Sequence, residues 1–266
     1  MEISSFNTPM TNRFLASILT LCTSLLLTSH LSIAATQKTV LITGANRGLG
    51  LELTKHFVND GYHVIGTARK PDKATELKTT KAEIIQLDVT SDQSIASMAN
   101  SLKGRTIDIL INNAGYFGPK LMTEKPATLK DLTKKEMQDC LAVNTLGPIF
   151  VTQALLPNLQ KSSQPIVVNM STRASILTHK TGGNAYGYKV SKTALNMVTR
   201  TMAADPSLRG AIVISLAPGH NKTDMGTHWA NLDPTQSMAK VKTLITSLTP
   251  KHHGGFWFFD GSPRPW

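Results

Sequence analysis

The sequence predicts an α/β fold: one doubly wound domain with a mainly parallel, seven-stranded sheet, occupying residues 36–266. From residue 36 onward, short β-branched runs alternate with longer segments of helical period, which is the pattern that βαβ units produce. The 266 residues are 41% hydrophobic and 17% charged, a composition that suits one large domain with a buried core. No repeat or low-complexity linker interrupts the series.

The strands are predicted at seven runs of β-forming residues. In chain order these are TVLITG (39–44), HVIGTA (63–68), EIIQLDV (83–89), IDILINN (107–113), PIVVNMS (165–171), AIVISLAPG (211–219) and GFWFF (255–259). Helical periods fill the gaps, for example at 49–59 and in one long segment at 137–160. The region 220–250, which contains Met225, Trp229 and Leu232, is expected to form an apolar lid that excludes water.

The charge balance and the cysteine count exclude several classes of protein. A net charge of +11 raises the question of nucleic-acid binding, but the 28 Lys and Arg residues are scattered and only 6% of the residues are aromatic. We therefore expect no nucleic-acid partner. The two cysteines, Cys22 and Cys140, cannot form a disulfide framework. Cys140 has no His or Cys cluster around it, so no metal site is predicted.

The first 35 residues are predicted to be a targeting segment. Residues 14–35 are apolar, follow Arg13 and end in small residues, which is the layout of a signal peptide cleaved after Ala34 or Ala35. An uncleaved anchor that contacts the membrane through residues 14–35 is the alternative, and a tail from a misassigned start is a third reading. The compartment stays open: exported or anchored if the segment acts as a signal, cytoplasmic otherwise.

A glycine-rich loop follows the first predicted strand and precedes the first predicted helix. Its sequence is TGANRGLG, with glycines at Gly44, Gly48 and Gly50. Glycines at such positions allow a tight turn and a close approach of the backbone to a pyrophosphate, and the helix N-terminus supplies N–H donors. The position between strand and helix predicts dinucleotide binding.

The end of the second predicted strand favours NADP over NAD. An acidic residue here would bind the ribose 2′-hydroxyl of NAD, but the sequence reads GTARKP and places Ala68 where the carboxylate would stand. Arg69 and Lys70 follow, and Arg47 projects from the glycine loop. These cations would attract a 2′-phosphate, so NADP(H) is predicted and NAD is less favoured.

Several motifs in order give the chain from about residue 38 to residue 266 its resemblance to the short-chain dehydrogenases/reductases. They are TGANRGLG, LDV (87–89), NNAG (112–115), VNTLG (143–147), YKVSK (188–192) and APGHNKTDM (217–225). SKTALNM and the ending GGFWFFDGSPRPW are most similar to the C-factor/sniffer-type carbonyl reductases. The resemblance implies a Rossmann-type fold, NADP(H)-dependent hydride transfer between nicotinamide and a carbonyl or secondary alcohol, and a homodimer or homotetramer. It also leaves open a dinucleotide-binding signalling protein of the C-factor type.

The family site implied by this resemblance includes Tyr188, Lys192 and Asn144. Tyr188 would exchange a proton with the substrate oxygen, and Lys192, one helical turn later, would lower its pKa and reach the nicotinamide ribose. Asn144 matches the family residue that holds a water on a proton path. Tyr186 lacks such a partner, because the residue four positions later is Val190; it is predicted to be a pocket or packing aromatic.

The hydroxyl that would polarise the substrate carbonyl is ambiguous. The family serine is usually the second residue of a Ser-Ser pair after the fifth strand, and that place holds Thr172 here, with Ser171 before it. Either hydroxyl can donate the hydrogen bond. The spacing from Thr172 to Tyr188 is longer than usual, because HKTGGN (179–184) lies between them.

The resemblance assigns cofactor contacts along six segments of the chain. They are Gly44, Asn46, Arg47, Gly48, Leu49 and Gly50; Arg69; Asp88 and Val89; Asn112, Ala114 and Gly115; Tyr188 and Lys192; and Pro218, Gly219 and Thr223.

Overall fold

The computed structural model describes residues 1–2, 37–119, 127–178, 182–226 and 230–266. The predictions for the signal peptide and Trp229 fall outside these residues. The described part contains seven strands, one at each predicted run. They are β1 (Thr39–Ile42), β2 (His63–Ala68), β3 (Glu83–Gln86), β4 (Ile109–Asn112), β5 (Ile166–Met170), β6 (Ile212–Ala217) and β7 (Phe256–Phe258).

These strands form one sheet in the order β3-β2-β1-β4-β5-β6-β7, and every neighbouring pair is parallel. The sheet is therefore wholly parallel, where the sequence predicted a mainly parallel one. Helices cover both faces, which explains why strands such as β5 and β6 are buried at every position. The two halves of the sheet diverge from β1 and β4, so a crevice opens beyond the carboxyl ends of these strands.

The α-helices of the described residues bracket these strands. They are α1 (Gly48–Asn59), α2 (Thr75–Lys78), α3 (Asp92–Ser101), α4 (Lys134–Leu141), α5 (Gly147–Ala154), α6 (Leu156–Leu159), α7 (Tyr186–Ala204) and α8 (Pro234–Thr246). None of them is both long and apolar enough to cross a membrane.

The helix predicted at 137–160 is present but interrupted. The segment is divided into α4, a π-helical turn at Ala142–Leu146, α5 and α6. Pro148 and Pro157 both lie in the first turn of the helices that follow these breaks. Proline lacks the N–H that would continue the preceding helix, so it favours a new start.

The predicted lid over 220–250 is also wrong in its second half. Residues Pro234–Thr246 form α8, whose apolar side packs in the core beside α1 through Met238, Val241 and Ile245. Asp233 caps this helix, because its side chain accepts a hydrogen bond from the Gln236 N–H. An apolar helical face and an apolar lid have the same amino-acid composition. Only the helical spacing of the apolar residues distinguishes the helix from the lid.

Candidate active site

A cleft of about 780 Å³ opens beyond the carboxyl ends of the strands. Most residues predicted for the cofactor line it, together with several of the predicted catalytic residues. The predicted residues that line it are Gly44, Asn46, Arg47, Gly48, Leu49, Gly50, Arg69, Asp88, Val89, Ala114, Gly115, Ser171, Tyr188, Lys192, Pro218 and Thr223.

The glycine loop forms a tight floor for this cleft. Gly44 and Gly48 have φ values of 67° and 55°, which side-chain-bearing residues rarely adopt. A Cβ on Gly50 would lie 2.4 Å from the Gly44 carbonyl oxygen and 2.5 Å from Asn113 Nδ2. The loop therefore brings bare backbone to the N-terminus of α1, an arrangement that fits a pyrophosphate.

Asn113, which the sequence reasoning missed, holds this loop in place. Its Nδ2 donates to the carbonyl oxygens of Thr43 and Gly44 at 2.9 and 3.1 Å. The neighbouring Asn112 was predicted to contact the cofactor, but it is buried in the sheet and lines no part of the cleft. Asn112 is the last residue of β4, and its side chain donates to Asn169 on β5. Because successive side chains of a strand point to opposite faces, the side chain of Asn113 points away from that of Asn112.

Cations lie on one side of the cleft. Arg69 follows β2 directly, and Lys70 and Lys73 line the cleft beside it. Arg47 forms an exposed ion pair with Asp224, at 2.9 Å. Within the described residues Arg69, Lys70 and Lys73 have no carboxylate partner within ion-pair distance, so all three can receive another anion.

Tyr188 and Lys192 lie one turn apart on α7 and face the cleft together. Burial raises the pKa of the Tyr188 phenol to about 12, and the hydroxyl of Thr172 lies close enough to lower it in part. Lys192, which was expected to lower the pKa of Tyr188, is not among the causes of this shift. Lys192 Nζ instead donates to the Met170 carbonyl oxygen at 2.7 Å, and burial lowers the pKa of Lys192 to about 8.

Phe117 is a second residue that the sequence reasoning missed. Its ring packs against that of Tyr188, with centroids 4.8 Å apart and planes at 45°. It lies in the loop after β4, two residues beyond the NNAG motif and outside it, so only the tertiary structure brings it to the site. This contact restricts the orientation of the phenol.

The structure places the hydroxyls of Ser171 and Thr172 in different surroundings. Ser171 is buried, and its Oγ donates to Asn196 Oδ1 at 2.7 Å, so its proton is already engaged. Thr172 is only partly buried, and its Oγ1 accepts a hydrogen bond from the Ala174 N–H at 3.3 Å. Accepting that bond leaves the hydroxyl proton of Thr172 available beside the Tyr188 phenol.

Asn144 lies behind the cleft rather than in its wall. It is fully buried in the π-helical turn. Its side-chain amide accepts from the Tyr116 N–H at 2.8 Å and donates to the Tyr116 carbonyl oxygen at 2.7 Å and to Ser191 Oγ at 2.9 Å. These bonds tie the loop after β4 to α7. The role in holding a water stays a prediction.

A second cleft of about 470 Å³ adjoins the first on the far side of Tyr188. The two share Leu49, Phe117, Ser171, Tyr188, Pro218, Thr223 and Met225. Thr172 and Gly219 line only the second cleft, and Tyr186 lines neither. Tyr188 therefore stands where the two clefts meet, so a group in the first cleft and a molecule in the second would meet at its phenol.

The family model for short chain dehydrogenases matches residues 38–232. The chain belongs to this family, and it is an oxidoreductase of that class by fold and descent. It is similar to the C-signal of Myxococcus xanthus, with 36% identity over 160 residues that cover 60% of this chain and 93% of that protein.

Two solved structures share the fold closely. The carbonyl reductase Sniffer of D. melanogaster is 31% identical, with a TM-score of 0.78 over 86% of this chain and 100% of that one. The NADPH-bound carbonyl reductase from chicken fatty liver is 30% identical, also with a TM-score of 0.78, over 86% of this chain and 99% of that one.

Proposed function

We propose that this protein is an NADP(H)-dependent carbonyl reductase, which transfers hydride between the nicotinamide and a carbonyl or secondary alcohol. The observation that carries the proposal is the position of Tyr188, which lines both clefts and has the Thr172 hydroxyl beside it. A proton donor at that junction is what reduction of a carbonyl requires.

The residues of the first cleft suit a dinucleotide. The glycine loop and the N-terminus of α1 would hold the pyrophosphate, and Asp88 and Val89 would lie by the adenine. Arg69, with Lys70 and Lys73, would hold a 2′-phosphate, which supports NADP over NAD. When bound, the cofactor supplies the hydride, and the protein supplies alignment and charge.

The protonation of the site favours reduction over oxidation. With a pKa raised to about 12, Tyr188 is a neutral phenol at neutral pH and can give its proton to a carbonyl oxygen that gains negative charge. Thr172 would donate a hydrogen bond to the same oxygen. Lys192, still charged below pH 8, would add positive charge behind Tyr188 and reach the ribose hydroxyls.

The test is NADPH oxidation by the purified protein with a panel of ketones and aldehydes, beside Tyr188→Phe. We expect turnover by the wild type and a loss of at least about 100-fold in the variant, because general acid catalysis contributes about that much. Wild-type turnover no better than that of Tyr188→Phe would refute the proposal.

A second function has its own observation. The similarity to the C-signal of Myxococcus xanthus favours a dinucleotide-binding signalling protein whose output is conformational rather than chemical. Its signature would be tight NADPH binding by calorimetry without turnover of any carbonyl in the panel, and with equal binding by wild type and Tyr188→Phe.

We also propose that the protein forms a homodimer or homotetramer. The aromatic C-terminal segment gives no support, because Phe256 and Phe258 are buried in β7. Support comes from apolar side chains on the outer surface of α5 and α7 and the turn before α5, where Phe150, Val190, Met197 and Leu146 are 42–68% exposed. Light scattering on the purified protein would test this.

A further inference from the structure

The second cleft has a positive lining. Arg173 and Lys189 both line it, and no Asp or Glu occurs among the described residues of its wall. The acidic residue nearest in sequence on the adjoining loop, Asp224, lines the first cleft instead and pairs with Arg47. A cleft with one sign of charge attracts substrates of the opposite sign.

Neither cation is neutralised within the described residues. Lys189 Nζ donates to the Gly182 carbonyl oxygen at 2.6 Å and to Asn184 Oδ1 at 3.1 Å, and both acceptors are uncharged. Partial burial lowers the pKa of Lys189. Arg173 lies over the Phe258 ring, with its guanidinium carbon 5.9 Å from the ring centroid. It forms no ion pair with any other described residue.

The two cations flank the reacting hydroxyls. Arg173 directly follows Thr172, and Lys189 directly follows Tyr188. All four residues line the second cleft, so one small molecule in it can contact a hydroxyl and a cation together. The rest of the wall includes apolar side chains, among them Ile176, which can contact the hydrocarbon part of such a molecule.

We propose that the second cleft selects carbonyl compounds that also carry an anionic oxygen group, a carboxylate or a phosphate. The carbonyl faces Tyr188 and Thr172, and the anion lies between Arg173 and Lys189. This inference rests on the proposed function for its chemistry. The recognition itself depends only on the two cations, since guanidinium and ammonium donors form charge-assisted hydrogen bonds with both anions.

The test compares two aldehydes of nearly equal shape, 4-carboxybenzaldehyde and methyl 4-formylbenzoate, with NADPH. The readout is the ratio of their kcat/KM values in each variant, because intrinsic reactivity cancels when ratios are compared. We expect Arg173→Gln and Lys189→Gln each to lower the acid-to-ester ratio by about tenfold, the usual scale of one charge-assisted hydrogen bond. Lys189→Arg keeps the charge and should keep the ratio.

The matched control is Arg209→Gln, which removes one exposed cation from the loop before β6. This loop lies at the amino end of that strand, and the clefts lie beyond the carboxyl ends. Its ratio should equal that of the wild type. A ratio unchanged in both Arg173→Gln and Lys189→Gln, or a wild type that prefers the ester, would overturn the inference.

Failure of the proposed function would look different, because then neither aldehyde would be reduced. In that case equilibrium binding decides the inference separately. Isothermal titration with 4-(hydroxymethyl)benzoate and its methyl ester should give about tenfold tighter binding of the acid, weakened in Arg173→Gln. Equal binding of the two would overturn the inference.

Discussion

Ser171 Oγ donates its proton to Asn196 Oδ1 at 2.7 Å, and this bond supports the proposal that its neighbour Thr172 polarises the carbonyl. The end of β5 is tied to α7 at consecutive residues, since Lys192 holds the Met170 carbonyl and Asn196 holds the Ser171 hydroxyl. Lys192 and Asn196 are one helical turn apart, as are Tyr188 and Lys192.

Thr172→Val keeps the shape of the side chain and removes its hydroxyl. We expect kcat for carbonyl reduction to fall about 100- to 1000-fold, the usual loss for one donor to a developing oxyanion, with KM changed little. Thr172→Ser should retain most of the activity. Steady-state kinetics would check both, and a Thr172→Val enzyme with wild-type kcat would contradict the assignment.

Ser171→Ala should instead act on stability. It leaves Asn196 Oδ1 with one donor, Ser215 Oγ at 3.1 Å, so we expect a loss of about 0.5–1.5 kcal/mol in the free energy of unfolding. The loss in kcat should stay below about tenfold, well under that of Thr172→Val. Urea denaturation and kinetics on the same samples would separate the two residues, and the reverse ranking in kcat would exchange their roles.

Gly50→Ala tests the floor of the cleft. A Cβ there would lie 2.4 Å from the Gly44 carbonyl oxygen, so the loop must move, and we expect destabilisation of about 1–3 kcal/mol with loss of NADPH binding. Gly183→Ala is the matched control, because no atom of the described residues lies within 4 Å of its added Cβ. Calorimetry that shows equal NADPH affinity for both variants would refute the proposed floor.

Arg69→Ala should change the choice of cofactor. Loss of its charge is expected to lower kcat/KM for NADPH about 10- to 100-fold while leaving NADH within about threefold. Arg47→Ala should have a smaller effect, since Arg47 already pairs with Asp224 in an exposed position. An unchanged NADPH-to-NADH ratio in Arg69→Ala would show that the 2′-phosphate lies elsewhere.

The pH dependence should follow Lys192. Burial lowers its pKa to about 8, so its positive charge is complete below that pH and is lost above it, while Tyr188 stays protonated because its pKa is about 12. We expect kcat/KM for reduction to decline as pH rises through about 8, and Lys192→Arg to move that decline upward. A flat profile from pH 7 to 10 would contradict this.

The sequence by itself determined the fold class, all seven strands, the glycine loop and the Tyr188/Lys192 spacing. These features depend on local period and on residues a few positions apart, which a chain displays directly. It missed the interruptions of the 137–160 helix, where prolines begin new helical turns. It also took part of the 220–250 region for a lid, because the buried face of α8 has the apolar composition expected of one.

Only the tertiary structure shows that Asn196 engages the Ser171 hydroxyl, that Asn113 rather than Asn112 holds the glycine loop, and that Phe117 packs against Tyr188. In each case the deciding contact joins segments that are far apart in the chain, such as β5 and α7 at 25 residues' separation. The direction of the Tyr188 pKa shift likewise depends on burial, which is a property of the packed site and not of the spacing between a tyrosine and a lysine.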